Sequence, residues 1–228
     1  MWSSKETGTK PDIAKEGVKH AGIYIAKFAY GTTKHEEEFT IEKLPITDSG
    51  VTIDRIPDKE FKNKDFDNTD FNEKEVVVRY NDVQLDANVD YTWYTQGQKN
   101  VTDTATLTIQ GGRNFSGTRD VSFRITARAM TDENTEIILK SGSTTWKVDK
   151  DGNYITEYDG NQHIPDSAIE KASVKISETE SLDVDGINFD MKCSAETEES
   201  KYVDAGTITV TITGKTKNFT GECKKTFI

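Results

Sequence analysis

The chain has 228 residues and a formal net charge of −11, with 33% hydrophobic and 30% charged residues. An acidic surface repels phosphate backbones and anionic lipid, which excludes nucleic acid and membrane surfaces as partners. No run approaches the ~20 apolar residues that a membrane span requires.

Met1-Trp2-Ser3-Ser4 leads directly into polar sequence without the apolar centre of a signal peptide, so the chain reads as a piece of a longer protein. Residues 1–46 carry one strand pair, Gly17–Ile25 and Glu38–Ile41, and read as the C-terminal hairpin of a preceding repeat plus a linker. Leu44-Pro45-Ile46-Thr47 has the look of a sortase sorting motif, but Asp48 stands where Gly is required and no apolar tail follows. The segment is therefore an ordinary strand-to-linker junction. A lone hairpin is marginal in water, so residues 1–46 are expected to dock on the next repeat or to complete another molecule's sheet.

Residues 47–128 are predicted to form one domain. Val76-Val77-Val78 supplies a strand, and Leu85 to Trp93 a polar turn followed by an aromatic-led strand. Ala105, Leu107 and Ile109 then alternate with threonines, which puts apolar side chains on one face of a half-buried antiparallel strand. Asn114-Phe115-Ser116-Gly117 breaks the run, because Asn and Gly tolerate positive φ and favour a hairpin turn. Val121, Phe123 and Ile125 resume the alternation.

Residues 129–228 repeat this order. Ala172–Ile176, Leu182–Met191 and Ile208-Thr209-Val210-Thr211-Ile212 parallel the strands above, and Asn218-Phe219-Thr220-Gly221 parallels the turn a little over one hundred residues later. The lead-in from Thr131 to Thr156 is longer and has room for an extra hairpin. No segment shows a clean 3.6-residue period, so an all-β chain is expected, with several short strands per repeat as in a sandwich.

Tyr158-Asp159-Gly160, Leu85, Asp90-Tyr91-Thr92, the two Asn-aromatic-Ser/Thr-Gly groups and the closing Phe-x-Ile run together resemble bacterial surface repeats of the YDG/MBG type. Phe61-Lys62-Asn63 departs from that pattern by lacking Asp-Gly. The resemblance implies tandem immunoglobulin-like β-sandwiches at 47–128 and 129–228, on an extracellular protein of the bacterial cell surface. It implies no catalytic residue and no cofactor. Its expected partners are neighbouring repeats of the same chain and a host glycoprotein, immunoglobulin or glycan. Adhesion is the first expected role, a stalk or spacer the second, and an accessory domain of a secreted enzyme the third.

Several residues are candidates for chemistry. Cys193 shares parity with Phe189 and Met191, and Cys223 with Phe227, so both sulfurs are expected to point inward and to pair as a disulfide worth about 3–4 kcal/mol. Tyr91 and Trp93 share a face and are expected in the core. Tyr94 has the opposite parity and, with Trp146 in the lead-in, is a binding candidate, because an exposed aromatic can stack on a sugar or anchor a protein. The acidic loops Asp65–Asp70, Asp149–Asn153 and Asp183–Gly186 have alternating carboxylates of the kind that ligate calcium, but their oxygen sets are incomplete, and turn chemistry is the better reading. His20, His35 and His163 are too dispersed for a zinc site. No lysine sits clearly on an apolar face, as an isopeptide cross-link would require. The sequons at Asn100, Asn114 and Asn218 read as turns.

Overall fold

The computed structural model describes residues 2–4, 19–141, 147–151, 153–158, 160, 170–184, 186–195 and 207–228. Within them the fold is all-β, and the one helical element is a 3-10 turn at Asn68–Asp70. In chain order the first strands are β1 (Trp2–Ser4), β2 (Gly22–Tyr30), β3 (Thr33–Ile41), β4 (Leu44–Pro45), β5 (Val51–Ile53) and β6 (Lys59–Glu60). They are followed by β7 (Val78–Tyr80), β8 (Val83–Gln84), β9 (Tyr91–Thr95), β10 (Thr102–Gly111), β11 (Phe115–Ser116) and β12 (Thr118–Thr126). Then come β13 (Arg128–Met130), β14 (Ile137–Ser141), β15 (Lys147–Val148), β16 (Tyr154–Ile155) and β17 (Glu170–Lys175). The last are β18 (Ser181–Asp183), β19 (Phe189–Ala195), β20 (Ile208–Gly214) and β21 (Phe219–Phe227).

The chain forms two compact units, and the first comprises Met1–Pro57, Phe66–Gln98 and Thr104–Phe123. Its N-terminal part is a hairpin in which β2 and β3 pair from Gly22↔Ile41 to Tyr30↔Thr33, with β1 on the free side of β2. Tyr24 is buried near the base of that hairpin and stacks on Phe39 at 5.6 Å. A second sheet runs β5-β7-β8, and a third places β10 between β9 and β12. Period-two alternation holds for most of these positions: Ala105, Leu107, Ile109 and Phe123 are buried and Gln110 and Ser122 exposed, but Thr108 on the opposite face is buried as well. Phe71 and Phe66 meet Phe123 edge-on at 5.1 and 6.0 Å, an arrangement aromatic quadrupoles favour. The Arg119 guanidinium donates to the Val51 carbonyl at 2.8 Å, tying the β12 side to β5.

The second unit comprises Asp58–Asp65, Lys99–Asp103 and Arg124–Ile228. Strands β19, β20 and β21 form an antiparallel meander, with Phe189↔Gly214 and Ile208↔Phe227 fixing the two registers. The smaller sheet β14-β17-β18 contributes Ile137, Ala172 and Val174 to the core. The long lead-in does contain an extra hairpin, β15–β16, which joins the end of β21 through Tyr154↔Phe227. Tyr154 stacks on Phe227 at 4.9 Å, and its hydroxyl donates to the Ile137 carbonyl. Phe219 sits between Phe189 at 4.6 Å and Phe61 at 5.3 Å.

Candidate functional site

Both sequence-predicted tyrosines on β9 occupy the faces their parity assigns. Tyr91 is buried and donates to the Val76 carbonyl at 2.6 Å. Trp93 is half-buried, tilted against Tyr91 at 6.1 Å, and its indole N–H donates to the Asn68 carbonyl at 3.2 Å. Tyr94 lies across from Thr108 and is 42% exposed. Its surroundings on that face are polar, with exposed Thr92 and Gln110, and Thr108 donating to the Asp120 carboxylate at 2.7 Å. Trp146 and His163 lie outside the described residues.

The structure forms no disulfide between Cys193 and Cys223, which corrects the expected pairing. Cys193 pairs with Val210 and Cys223 with Ile212, so both do share a face, as parity required. Strand β20 runs between them, however, and two strand spacings come to about 10 Å. A cystine needs Cα atoms within ~7 Å. The Cys223 thiol is buried and lies 3.7 Å from the Thr135 carbonyl oxygen. Burial pushes its pKa up, which keeps it protonated and unreactive. Unreduced, unfolded protein is therefore expected to take up two alkylating groups by intact mass, and native protein to label at half-buried Cys193 first. A mass deficit of two protons before alkylation would contradict this.

The same direction of shift recurs at Tyr91 and Tyr154, where desolvation by burial is again the largest cause. In each of the three groups the folded state holds its proton more tightly than the unfolded chain does. Their contribution to stability is complete below the unfolded values near 9.0 and 10.0, and is lost as pH rises through the higher folded values. Urea midpoints should fall above pH 9, and Cys223→Ala should reduce the early part of that fall.

Two of the acidic loops hold their own backbone, and Asp185 of the third lies outside the described residues. Asp67 caps the 3-10 turn, accepting from the Thr69 N–H at 2.8 Å, while Asp70 accepts from the Asp67 N–H at 2.8 Å. Asp149 accepts from the N–H groups of Asp151 and Asn153, each at 2.9 Å. Among the described residues no group of three or more His, Cys, Asp or Glu side chains could hold a metal ion.

The arrangement that recurs is built on the Asn-aromatic-Ser/Thr-Gly turn. Gly117 and Gly221 take the left-handed conformation there, at φ +77° and +82°, whereas neither asparagine does. In the first unit the Asn114 side-chain oxygen accepts from the Ala21 N–H at 3.0 Å, and its amide nitrogen lies 3.1 Å from His20 Nδ1. The Asn114 carbonyl accepts from the Leu44 N–H at 3.0 Å, opening a parallel pairing of β11 with β4. In the second unit the Asn218 side-chain oxygen accepts from the Val101 N–H at 3.0 Å, and its amide nitrogen donates to Asn100 Oδ1 at 3.0 Å. The Asn218 carbonyl accepts from the Arg128 N–H at 3.0 Å, opening a parallel pairing of β21 with β13. Two residues beyond each of these anchor points a large apolar side chain is buried, Ile46 in one case and Met130 in the other.

Sequence reading placed these asparagines in turns but missed what they hold. A signal was present: Ile46-Thr47-Asp48 matches Met130-Thr131-Asp132, and His20-Ala21 precedes its strand by the same offset as Asn100-Val101. The chain matches no protein-family model, no curated protein and no solved structure.

Proposed function

We propose that this chain is a non-enzymatic, extracellular segment of a bacterial surface protein, made of tandem immunoglobulin-like repeats that act as a stalk or spacer for a distal region. The observation that carries the reading is the recurrence of one constellation. Each unit has two neighbouring strands joined through the repeated turn, β10 and β12 in one and antiparallel β20 and β21 in the other, and a parallel strand laid along that turn. Repetition of a linkage, with a solitary Tyr94 on a polar face, is what a load-bearing array needs and what a dedicated binding face does not. A stalk or spacer is also the second role that the YDG/MBG resemblance implies.

A second reading, adhesion to a host glycoprotein, glycan or immunoglobulin, draws on the β2–β3 hairpin. Phe28 and Tyr30 lie two residues apart on one strand face, 58% and 92% exposed, and paired aromatics can hold sugar or protein. The deciding experiment presents the purified chain to a glycan array, immunoglobulins and serum glycoproteins at micromolar concentration. The spacer reading expects no saturable partner. A partner lost on Tyr94→Ala or Tyr30→Ala would replace it with the adhesive one.

A further inference from the structure

We infer that the asparagine side chain of each Asn-aromatic-Ser/Thr-Gly turn is a docking site, within its own unit, for the base of the β-hairpin that precedes it in the chain. The inference rests on the repeat reading above, and each contact it uses lies within one unit. Its partner is defined chemically. It is the base of a β-hairpin that offers a side-chain acceptor, then a free backbone N–H just before its first strand, and a second free N–H just after its last.

Both examples meet that definition atom for atom. His20 and Asn100 supply the side-chain partner of the amide nitrogen, through Nδ1 in one case and Oδ1 in the other. Ala21 and Val101 supply the first N–H, and Leu44 and Arg128 the second. The acceptor residues share no other chemistry, so the pairing is set by hydrogen-bond polarity. A carboxamide is the side chain that answers both halves, because it accepts through oxygen and donates through nitrogen. Aspartate would accept and not donate.

A simpler role, that of a turn residue chosen for its backbone, fails on conformation. Asn is favoured in turns for tolerating positive φ, yet here the glycines take those angles and the asparagines do not. The side chain is therefore retained for what it binds. The docked segments are also anchored by packing: Ile46 is fully buried in the first unit and Met130 nearly so in the second, each in the strand that runs parallel to the turn or immediately after it.

The test is amide hydrogen exchange by NMR on the full chain. Asn218→Ala should speed exchange at Val101 about tenfold, the effect of one lost hydrogen bond, with Val210 and Ile212 in the core hairpin unchanged. Asn114→Ala should do the same at Ala21, with Leu107 and Ile109 unchanged. Asn218→Asp keeps the acceptor and should leave Val101 within about threefold of the parent, while Asn100→Ala mimics its loss of the donor contact. Unchanged exchange at Val101 and Ala21 in the alanine variants would overturn the inference. So would equal acceleration of the core amides, which would make each asparagine a residue of its own hairpin only. Either failure leaves the spacer reading standing, and a saturable host partner would sink that reading while leaving the dock intact.

Discussion

Phe219→Ala is expected to destabilise the second unit by about 3–5 kcal/mol, as a drop in urea midpoint together with faster exchange at Val210 and Ile212. The aromatic of the repeated turn is buried at 2% exposure, with Phe189 at 4.6 Å and Phe61 at 5.3 Å. Two rings of different origin thus converge on it, Phe189 from the start of β19 and Phe61 just after β6. Truncation removes the transfer energy of a benzyl group and leaves a void that two aromatic neighbours cannot close without moving backbone, since rings pivot poorly. The equivalent Phe115 has one described ring partner, Tyr80 at 5.9 Å, so Phe115→Ala should cost less. A destabilisation under about 1 kcal/mol for Phe219→Ala would mean that the turn aromatics do not carry the packing assigned to them.

Strand assignment was legible because the alternation was clean. Leu107 and Ile109, or Val210 and Ile212, declare a buried face with no knowledge of the neighbouring strand. The same period-two logic placed Tyr91 inside and Tyr94 outside. It failed for Cys193 and Cys223 in an instructive way. Parity gave their common face correctly, but a disulfide depends on strand order, and order is a tertiary property. Nothing in the residues themselves says that β20 separates β19 from β21 until the meander is drawn.

The parallel pairings were illegible for a related reason. A turn between two apolar runs predicts an antiparallel hairpin, and that hairpin exists in each unit. That β4 and β13 also run along those turns depends on contacts between residues about 70 to 90 positions apart. Local sequence could show that Ile46-Thr47-Asp48 and Met130-Thr131-Asp132 recur. It could not show which carbonyls their strands would meet. The asparagines were assigned to turns through their backbone tolerance, and the structure gives that job to Gly117 and Gly221.

Those two glycines give the second large prediction, because they share a conformation and differ in surroundings. Both hold positive φ, +77° at Gly117 and +82° at Gly221, so alanine at either position incurs the left-handed penalty of about 1–2 kcal/mol. A Cβ at Gly117 meets nothing within 4 Å, and Gly117→Ala should cost no more than that penalty. A Cβ at Gly221 would stand 2.8 Å from the Met130 carbonyl oxygen, a backbone atom of the docked strand β13. That oxygen cannot turn aside as a side chain would, so either β13 moves off the turn or the turn distorts. Gly221→Ala should therefore lose about 3 kcal/mol or more, adding an overpacking cost to the conformational one. It should also loosen the N–H of Arg128, which bonds to the Asn218 carbonyl three residues before the glycine. Equal urea midpoints for the two variants would show that β13 yields freely, and that the close approach at Gly221 is not what its glycine is needed for.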